Sequence, residues 1–537
     1  MVAVCHVTKR KLTISIGLAL AIGSVHADFG PTFDLSSLNG TNGFKLNGAN
    51  TGDRTGASVS VAGDINGDGT DDLIIGAPFA DTVVGNEGKC YLVFGSDQGF
   101  TSPLNLSTLD GDSGIIINGE SVFDYAGSAV SAAGDINGDG IDDLIIGAPI
   151  ASPDVPYSGA VYVVFGDDQG LPNPLSLSTI DGSNGIVFNG VANYDEAGAA
   201  VSAAGDINGD GIDDLIIGAP YASGGNGAGY VVFGSDEGWT SPIDLSGLNG
   251  TNGFKINSVG EADTLGRSVS AAGDINGDGI DDMVIGAILA GSGGVYSGAS
   301  YVIFGKVKDT AWNSSFNLSD LNGTNGFVIK GVGATDEAGA SVSAAGDING
   351  DTIADIIIGA PKADSNGDDS GASYVVFGSN QAWSTPLELS SLNGSNGFVL
   401  KGVSEGDRSG SSVHSAGDIN FDGLDDLIIG APLADPNGTE SGASYVVYGT
   451  DQGWASSFEL SGLNGANGFV MNGVNAGDNL GGSVSAAGDL NHDGKDDLVV
   501  GARFADPNGD DSGAGYVVFG GSEDQNGDTI FSDGFEF

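Results

Sequence analysis

The stretch "DINGDGIDDLIIGAP" occupies residues 135–149 and recurs letter for letter at 206–220. Close variants begin at Asp64, Asp274, Asp347, Asp418 and Asp489, so the unit is written seven times, at spacings of 71, 71, 68, 73, 71 and 71 residues. A period this regular denotes a repeat architecture, in which copies bury their faces against one another. The repeated stretch joins an acidic, glycine-broken loop to a short apolar run, the pattern of a turn feeding a buried strand.

Each repeat holds four strand candidates. In the second they are "AGSAVSAAGD" (126–135, strand A), "DLIIGAP" (143–149, strand B), "AVYVVFG" (160–166, strand C) and "NGIVFNG" (184–190, strand D). Strands B and C are continuous apolar runs, as in strands covered on both faces. Strand A is rich in small residues and suits a crowded position near an axis. Strand D sometimes alternates, as in Phe44, Lys45 and Leu46, and reads as an outer strand. Seven such units predict an all-β fold, a seven-bladed β-propeller of four-stranded blades. The first strand D, "NGFKLNG" at 42–48, precedes the first strand A, and the last strand C has no strand D after it. The N-terminal strand is therefore expected to complete the last blade and close the ring.

Composition agrees. The chain has 537 residues with 95 glycines, yet 40% are hydrophobic and fall in β-branched runs, unlike a disordered chain. Seventy-one acids face sixteen bases, a net charge of −55. That opposes nucleic acid, which is held by Lys and Arg on phosphates, and opposes an anionic membrane surface. It favours cations. Lys9 to Lys11 followed by the apolar Leu12–Ile22 and the small-residue site Val25-His26-Ala27 read as a signal peptide over 1–27. The expected order is then a lead-in at 28–42, the propeller at 43–520 and an acidic tail at 521–537. No other stretch is apolar enough for a membrane span, so a secreted protein is expected. Of the two cysteines, Cys5 lies in the leader and Cys90 reads as a small buried strand residue.

The acidic loop carries the chemistry. Position 1 is Asp64, Asp135, Asp206, Asp274, Asp347, Asp418 or Asp489, and position 3 is Asn66, Asn137, Asn208, Asn276, Asn349, Asn420 or Asn491. Position 5 is Asp68, Asp139, Asp210, Asp278, Asp351, Asp422 or Asp493, and position 9 is Asp72, Asp143, Asp214, Asp282, Asp355, Asp426 or Asp497. Position 7 varies through Thr70, Ile141, Ile212, Ile280, Ile353, Leu424 and Lys495, which suits a backbone carbonyl ligand. Hard oxygens at alternating positions of a tight loop are what calcium takes, and up to seven ions are expected. The loop is not an EF-hand, since position 12 is aliphatic, as at Ile75 and Ile146. Asp, Asn and Gly also make good turns, but turn chemistry alone gives no reason for three carboxylates in every copy. Repeat five is the weakest: Thr352 replaces the glycine of position 6, at a cost of about 1 kcal/mol if φ is positive, and Ala354 replaces the position-8 Asp. The tail repeats the spacing at Asp524, Asn526, Asp528 and Ser532 without strand context and reads as a solvated segment.

Phe165-Gly166 with Gly147-Ala148-Pro149 around the acidic loop resemble FG-GAP repeats, which form the seven-bladed propeller of integrin α-subunit heads. The resemblance spans 43–520, with departures at Gly286-Ala287-Ile288 and Gly501-Ala502-Arg503. It implies calcium in the A–B loops and cell-surface or matrix adhesion through an extracellular protein or surface ligand. No leg domain or inserted ligand-binding domain is recognisable, so pairing with an integrin β-subunit is not expected. Similar propellers also occur in secreted bacterial proteins and beside the catalytic domain of glycosylphosphatidylinositol-specific phospholipase D. In the family, ligands approach the face opposite the calcium loops. Here that face would carry Tyr125, Tyr157, Tyr194 and Tyr221, with Tyr296 and Phe504 in other blades. Each tyrosine covering its own loop is the equal alternative. An enzyme is not expected: His414 and His492 lack partner constellations, and no G-x-S-x-G, H-E-x-x-H or phosphate loop is present. A calcium-loaded structural protein of a matrix or surface layer is the other reading.

Overall fold

The computed structural model describes residues 29–521 apart from 82–84, 292 and 309. The signal peptide and nearly all of the tail lie outside the described residues. The protein is a seven-bladed β-propeller. In blade 2, strands A to D are Ala129–Gly134, Asp143–Ala148, Ala160–Val164 and Gly185–Asn189, paired antiparallel in that order. Strand A is innermost, and neighbouring strands A meet around the axis. Strands B and C are buried along their whole length, as their unbroken apolar runs require.

The blades are five-stranded rather than four-stranded. After strand C the chain crosses to the preceding blade and lays two or three residues parallel to its strand D. Leu175–Ser176 does so on blade 1 and Ile243–Asp244 on blade 2. A 3-10 turn such as Leu177–Thr179 then returns the chain to its own blade. Strand D is thus not the edge, and its exposed backbone is covered by the next repeat. An aromatic in most crossings fastens it: Trp312 stacks on Phe254 at 4.3 Å, Trp383 on Phe327 at 4.0 Å and Trp454 on Phe398 at 4.0 Å. Such pairs add about 0.5–1.5 kcal/mol beyond area burial.

At the seam, Gly43–Asn47 pairs antiparallel with Ala514–Val518, the last strand C. The expected lead-in belongs to the fold as well. Thr32–Phe33 runs parallel on strand D of blade 6, Gly468–Asn472, and Phe29 stacks on Phe469 at 4.4 Å. The N-terminal segment therefore completes two blades. The core lies between blades: Ile74, Leu92 and Ile115 of blade 1 pack with Leu144, Ile146 and Tyr162 of blade 2, and Val499 and Val517 of blade 7 pack with Leu73 and Ile75 of blade 1. Cys90 is buried in strand C of blade 1. No helix among the described residues is long and apolar enough to cross a membrane.

Candidate metal-binding loops and the opposite face

All seven acidic loops join strand A to strand B at one end of the ring, and they share one plan at positions 1, 5 and 9, while the position-3 Asn bonds differently from blade to blade. The position-1 carboxylate accepts the amides of positions 5 and 6, as Asp64 does from Asp68 at 2.9 Å and Gly69 at 2.8 Å. Position 5 accepts the amide of position 7, Thr70 to Asp68 at 3.0 Å. Asn66 Oδ1 accepts the Asp68 amide that Asp64 also receives, so positions 1 and 3 are brought together. Asn208 Nδ2 donates to both oxygens of Asp214, which joins positions 3 and 9.

Position 9 opens strand B and is fully buried in every blade. Its Oδ1 accepts the amide of the glycine that follows strand C, as Asp143 does from Gly166 at 2.9 Å. Burial, reinforced by the charges at positions 5 and 1, pushes Asp72, Asp143, Asp282, Asp355 and Asp497 up to about 8. Asp214 and Asp426 are raised well above the carboxylate range for the same reasons. Oδ2 of Asp72 and of Asp426 is buried and has no hydrogen bond of ordinary geometry, only a poorly aligned approach of these carboxylates to the Ile65 and Asn420 amides. The position-7 side chain packs inward between blades: a Cβ on Gly166 would fall 2.5 Å from Ile141 Cγ2 and 2.4 Å from the Asp142 carbonyl oxygen. Only glycine fits there, which accounts for the Phe-Gly of the repeat.

Among the described residues, no cluster of three or more Asp, Glu, His or Cys side chains stands in metal-holding geometry. The reason is local, since the position-1 and position-5 carboxylates are turned onto the loop's own amides. A carboxylate oxygen keeps a second lone pair in such a bond, and the Asn oxygens and backbone carbonyls add to the donor set. The donors are all hard oxygens, and the orphaned, buried Oδ2 atoms lack a cationic partner or a well-formed hydrogen bond, so the residues fit calcium.

Position 8 has a role that spacing does not reveal. Asp142 Oδ2 reaches back to the amide of Asp64 in the preceding blade at 2.9 Å, and Asp213 does the same to Asp135 at 3.0 Å. Asp281, Asp425, Asp496 and, across the seam, Asp71 repeat the contact. Between blades 4 and 5, Ala354 stands in that place, against Gly273. Position 4, which the sequence treats as a free slot, is left-handed throughout: Phe421 and His492 are held there at φ 61 and 57. Thr352 sits at φ 70, as the substitution implies. A second set of acids also repeats once per blade. Asp53, Asp124, Asp195, Asp263, Asp336, Asp407 and Asp478 are buried in the D–A connections, each one copy per repeat. Asp124 accepts the Ser121 amide at 3.1 Å, and burial pushes it up to about 6. They recur at 71, 71, 68, 73, 71 and 71 residues, the same spacings as the acidic loops, and that match is their signal in the sequence.

The opposite face does not gather the four tyrosines into one patch. Tyr157 and Tyr194 are exposed with ring centroids 5.3 Å apart. Tyr125 is half-buried, edge-on to Phe79 at 5.1 Å, and takes a hydrogen bond from Asn86. Tyr221 is exposed with no ring partner among the described residues. Tyr125 and Tyr157 share a hollow of ≈ 450 Å³ with Val122 and Phe123, two exposed apolar residues that the sequence reading passed over. His414 is half-buried in strand A of blade 6, among the A strands that line the axis; its Nδ1 lies 2.9 Å from the Ser415 carbonyl, and desolvation lowers its basicity.

The FG-GAP repeat profile matches the chain at 55–93, 126–164, 197–233, 265–303, 338–376, 409–447 and 481–518. The chain belongs to the FG-GAP repeat family. This FG-GAP protein is 30% identical over 420 residues to the phosphatidylinositol-glycan-specific phospholipase D of Homo sapiens, covering 74% of this chain and 46% of that one. It is 28% identical over 248 residues to integrin alpha-5 of Xenopus laevis, covering 45% and 21%, and 31% identical over 240 residues to integrin alpha pat-2 of Caenorhabditis elegans, covering 44% and 18%. The chain thus spans less than half the length of these relatives. A chain in a crystal structure of BBS1N in complex with ARL6DN, soaked with lead, aligns over 90% of this chain and 94% of its own at a TM-score of 0.39 and 10% identity. The relatives include both a protein named for a phospholipase activity and integrin subunits, so kinship alone does not separate catalysis from binding.

Proposed function

We propose that this FG-GAP propeller is a secreted, calcium-loaded binding module that presents the face opposite its acidic loops to an extracellular protein or surface ligand. The observation that carries the metal part is the buried position-9 carboxylate, with an orphaned oxygen at Asp72 and Asp426, set behind ionisable carboxylates at positions 1 and 5. An uncompensated buried carboxylate costs several kcal/mol, and a hard divalent cation offsets it. In each loop the ion would be held by the side-chain oxygens of positions 1, 3, 5 and 9 and the carbonyl of position 7. It would brace the A–B turn, since a ligand that binds only the folded state stabilises it by mass action. The binding part is supported by the exposed Tyr157–Tyr194 pair and the adjoining hollow, since exposed aromatics concentrate binding energy at interfaces.

The test has two arms. Calcium titration of the chelated protein should raise its melting temperature in a saturable way; an unchanged transition would remove calcium from the account. Retention on whole cells and matrix components, with the Tyr157→Ala/Tyr194→Ala variant as control, tests the binding face. Calcium-dependent capture lost in the variant supports adhesion. Calcium-dependent stability without capture favours a structural protein of a matrix, and release of a product from glycosylphosphatidylinositol substrates would favour the phospholipase kinship instead.

A further inference from the structure

At the seam of the ring, on the face away from the acidic loops, two arginines converge. Arg54 lies in the connection from Gly43–Asn47 to strand A of blade 1, and Arg503 in the B–C connection of blade 7. The Arg54 guanidinium stands 4.3 Å from the Phe79 ring centroid and 5.0 Å from that of Phe504, and Arg503 stands 4.8 Å from Phe504. Arg503 is exposed, and partial desolvation against its neighbours together with the adjacent Arg54 charge works against its protonated form. Like charges side by side cost free energy, so this arrangement calls for an anion.

The repeats supply an internal control. Arg408 is the counterpart of Arg54 two blades back around the ring, and it meets Asp369 in a hydrogen-bonded pair at 3.2 Å. The corresponding acid for Arg54, Asp511, is 3.8 Å away, beyond hydrogen-bond distance. Arg54 and Asp511 thus form an ion pair without a hydrogen bond, while the guanidinium lies against the Phe79 and Phe504 rings. Arg503 takes the place of the proline at Pro78, Pro149, Pro220, Pro361 and Pro432, and among the described residues the charge that bears on it is that of Arg54. Neither side chain donates a hydrogen bond among the described residues. Stacking fixes a guanidinium plane and leaves its N–H edge open, the geometry that receives a planar carboxylate bidentately. A polyanion would have to approach a chain of net charge −55, whereas a single carboxylate on an otherwise neutral surface meets far less repulsion.

We propose that Arg54 and Arg503 form a carboxylate-binding site through which this face docks an acidic side chain or a C-terminus of a partner protein. The site deepens the binding reading above and does not depend on calcium. Its test is residue-specific. The full secreted chain, at fixed calcium, is treated with an arginine-selective dicarbonyl reagent, and modification at Arg54, Arg503 and Arg408 is followed by mass spectrometry. Probes are a capped Gly/Ser peptide with one central Glu, its Gln counterpart, the Gln peptide with a free C-terminus, and sulfate at matched ionic strength. The Glu peptide should slow modification of Arg54 and Arg503 several-fold and leave Arg408 unchanged, with the Gln peptide inert. Protection by the free C-terminus as well would assign the source as any carboxylate; protection by the Glu side chain alone would assign an internal acidic residue. Arg503→Gln should abolish protection at Arg54 while the melting temperature holds. Equal protection by Glu and Gln peptides, stronger protection by sulfate, or no reaction at either arginine in the free protein would overturn the site. Failure of cell or matrix capture would leave this result standing, so the two readings fail separately.

Discussion

The junction between blades 1 and 2 and the junction between blades 4 and 5 are built from closely similar loops but differ in the residue that spans the gap. At the first, Asp142 spans the gap and takes the Asp64 amide at 2.9 Å. At the second, Ala354 faces Gly273 and the Asp274 amide has no such acceptor. The same loop also forces Thr352 into a left-handed backbone at φ 70. Blade 5 therefore carries two local defects that the other six blades lack, yet its position-1, position-5 and position-9 acids bond as elsewhere. The comparison separates what the loop does within its blade from what it does for the ring.

The largest effect should come from the metal. Calcium at a hundred times its dissociation constant would add about 2.7 kcal/mol per independent site, so chelation should lower the melting temperature by many degrees. Calorimetry with and without chelator checks this, and repeat five should be the weakest site. Next is the latch. Asp142→Ala should destabilise by about 1–3 kcal/mol through the unpaired Asp64 amide, and Asp142→Asn by less, because the amide oxygen still accepts. Equilibrium denaturation measures both, and equal losses would mean that charge rather than the hydrogen bond matters. The defects of blade 5 should be repairable: Ala354→Asp and Thr352→Gly should each stabilise by about 1 kcal/mol, the first through a new inter-blade bond and the second through relief of positive φ. If Ala354→Asp destabilises, the junction between blades 4 and 5 is packed differently from the rest.

The smallest effect is a pH slope. Asp124 is raised to about 6 in the fold against an ordinary value of 3.8, so the folded state binds its proton more tightly than the unfolded chain. Its ionisation therefore costs stability as pH rises from about 4 to 6, and the cost is complete above that. Asp124→Asn keeps an acceptor for Ser121 and removes the titration. The variant should gain on the parent by up to about 1 kcal/mol between pH 5 and pH 7 in paired melting curves. A constant gap across that range would mean that Asp124 is charged throughout.

Several features were legible before any coordinates. The period of the acidic loop and the placement of "NGFKLNG" ahead of the first strand A led to seven blades and an N-terminal strand against the last strand C. Constancy at 1, 3, 5 and 9 beside variation at position 7 marked a loop whose side-chain oxygens matter, and the carboxylates at 1, 5 and 9 accept backbone amides. Other features were not legible. Asp142 and Asp64 are 78 residues apart, and nothing in their local sequence tells that one loop caps its neighbour. Strand D looked like an edge because the two residues that cover it come from the next repeat. Arg54 and Arg503 are nearly a full chain apart and meet only because the ring closes.

By itself, then, the sequence determined much that depends on contacts within one repeat: strand order, the left-handed turn at position 6, the apolar runs of strands B and C, and the oxygen-rich loop. Those follow from backbone sterics and hydrophobic patterning, which act over a few residues. The tertiary structure alone decided what each repeat owes its neighbours: the position-8 latch, the parallel strip on strand D, the aromatic stacks between blades and the paired arginines at the seam. These arise because no blade can bury its own faces, so each contact partner is set by how the blades stack around the axis and not by distance along the chain.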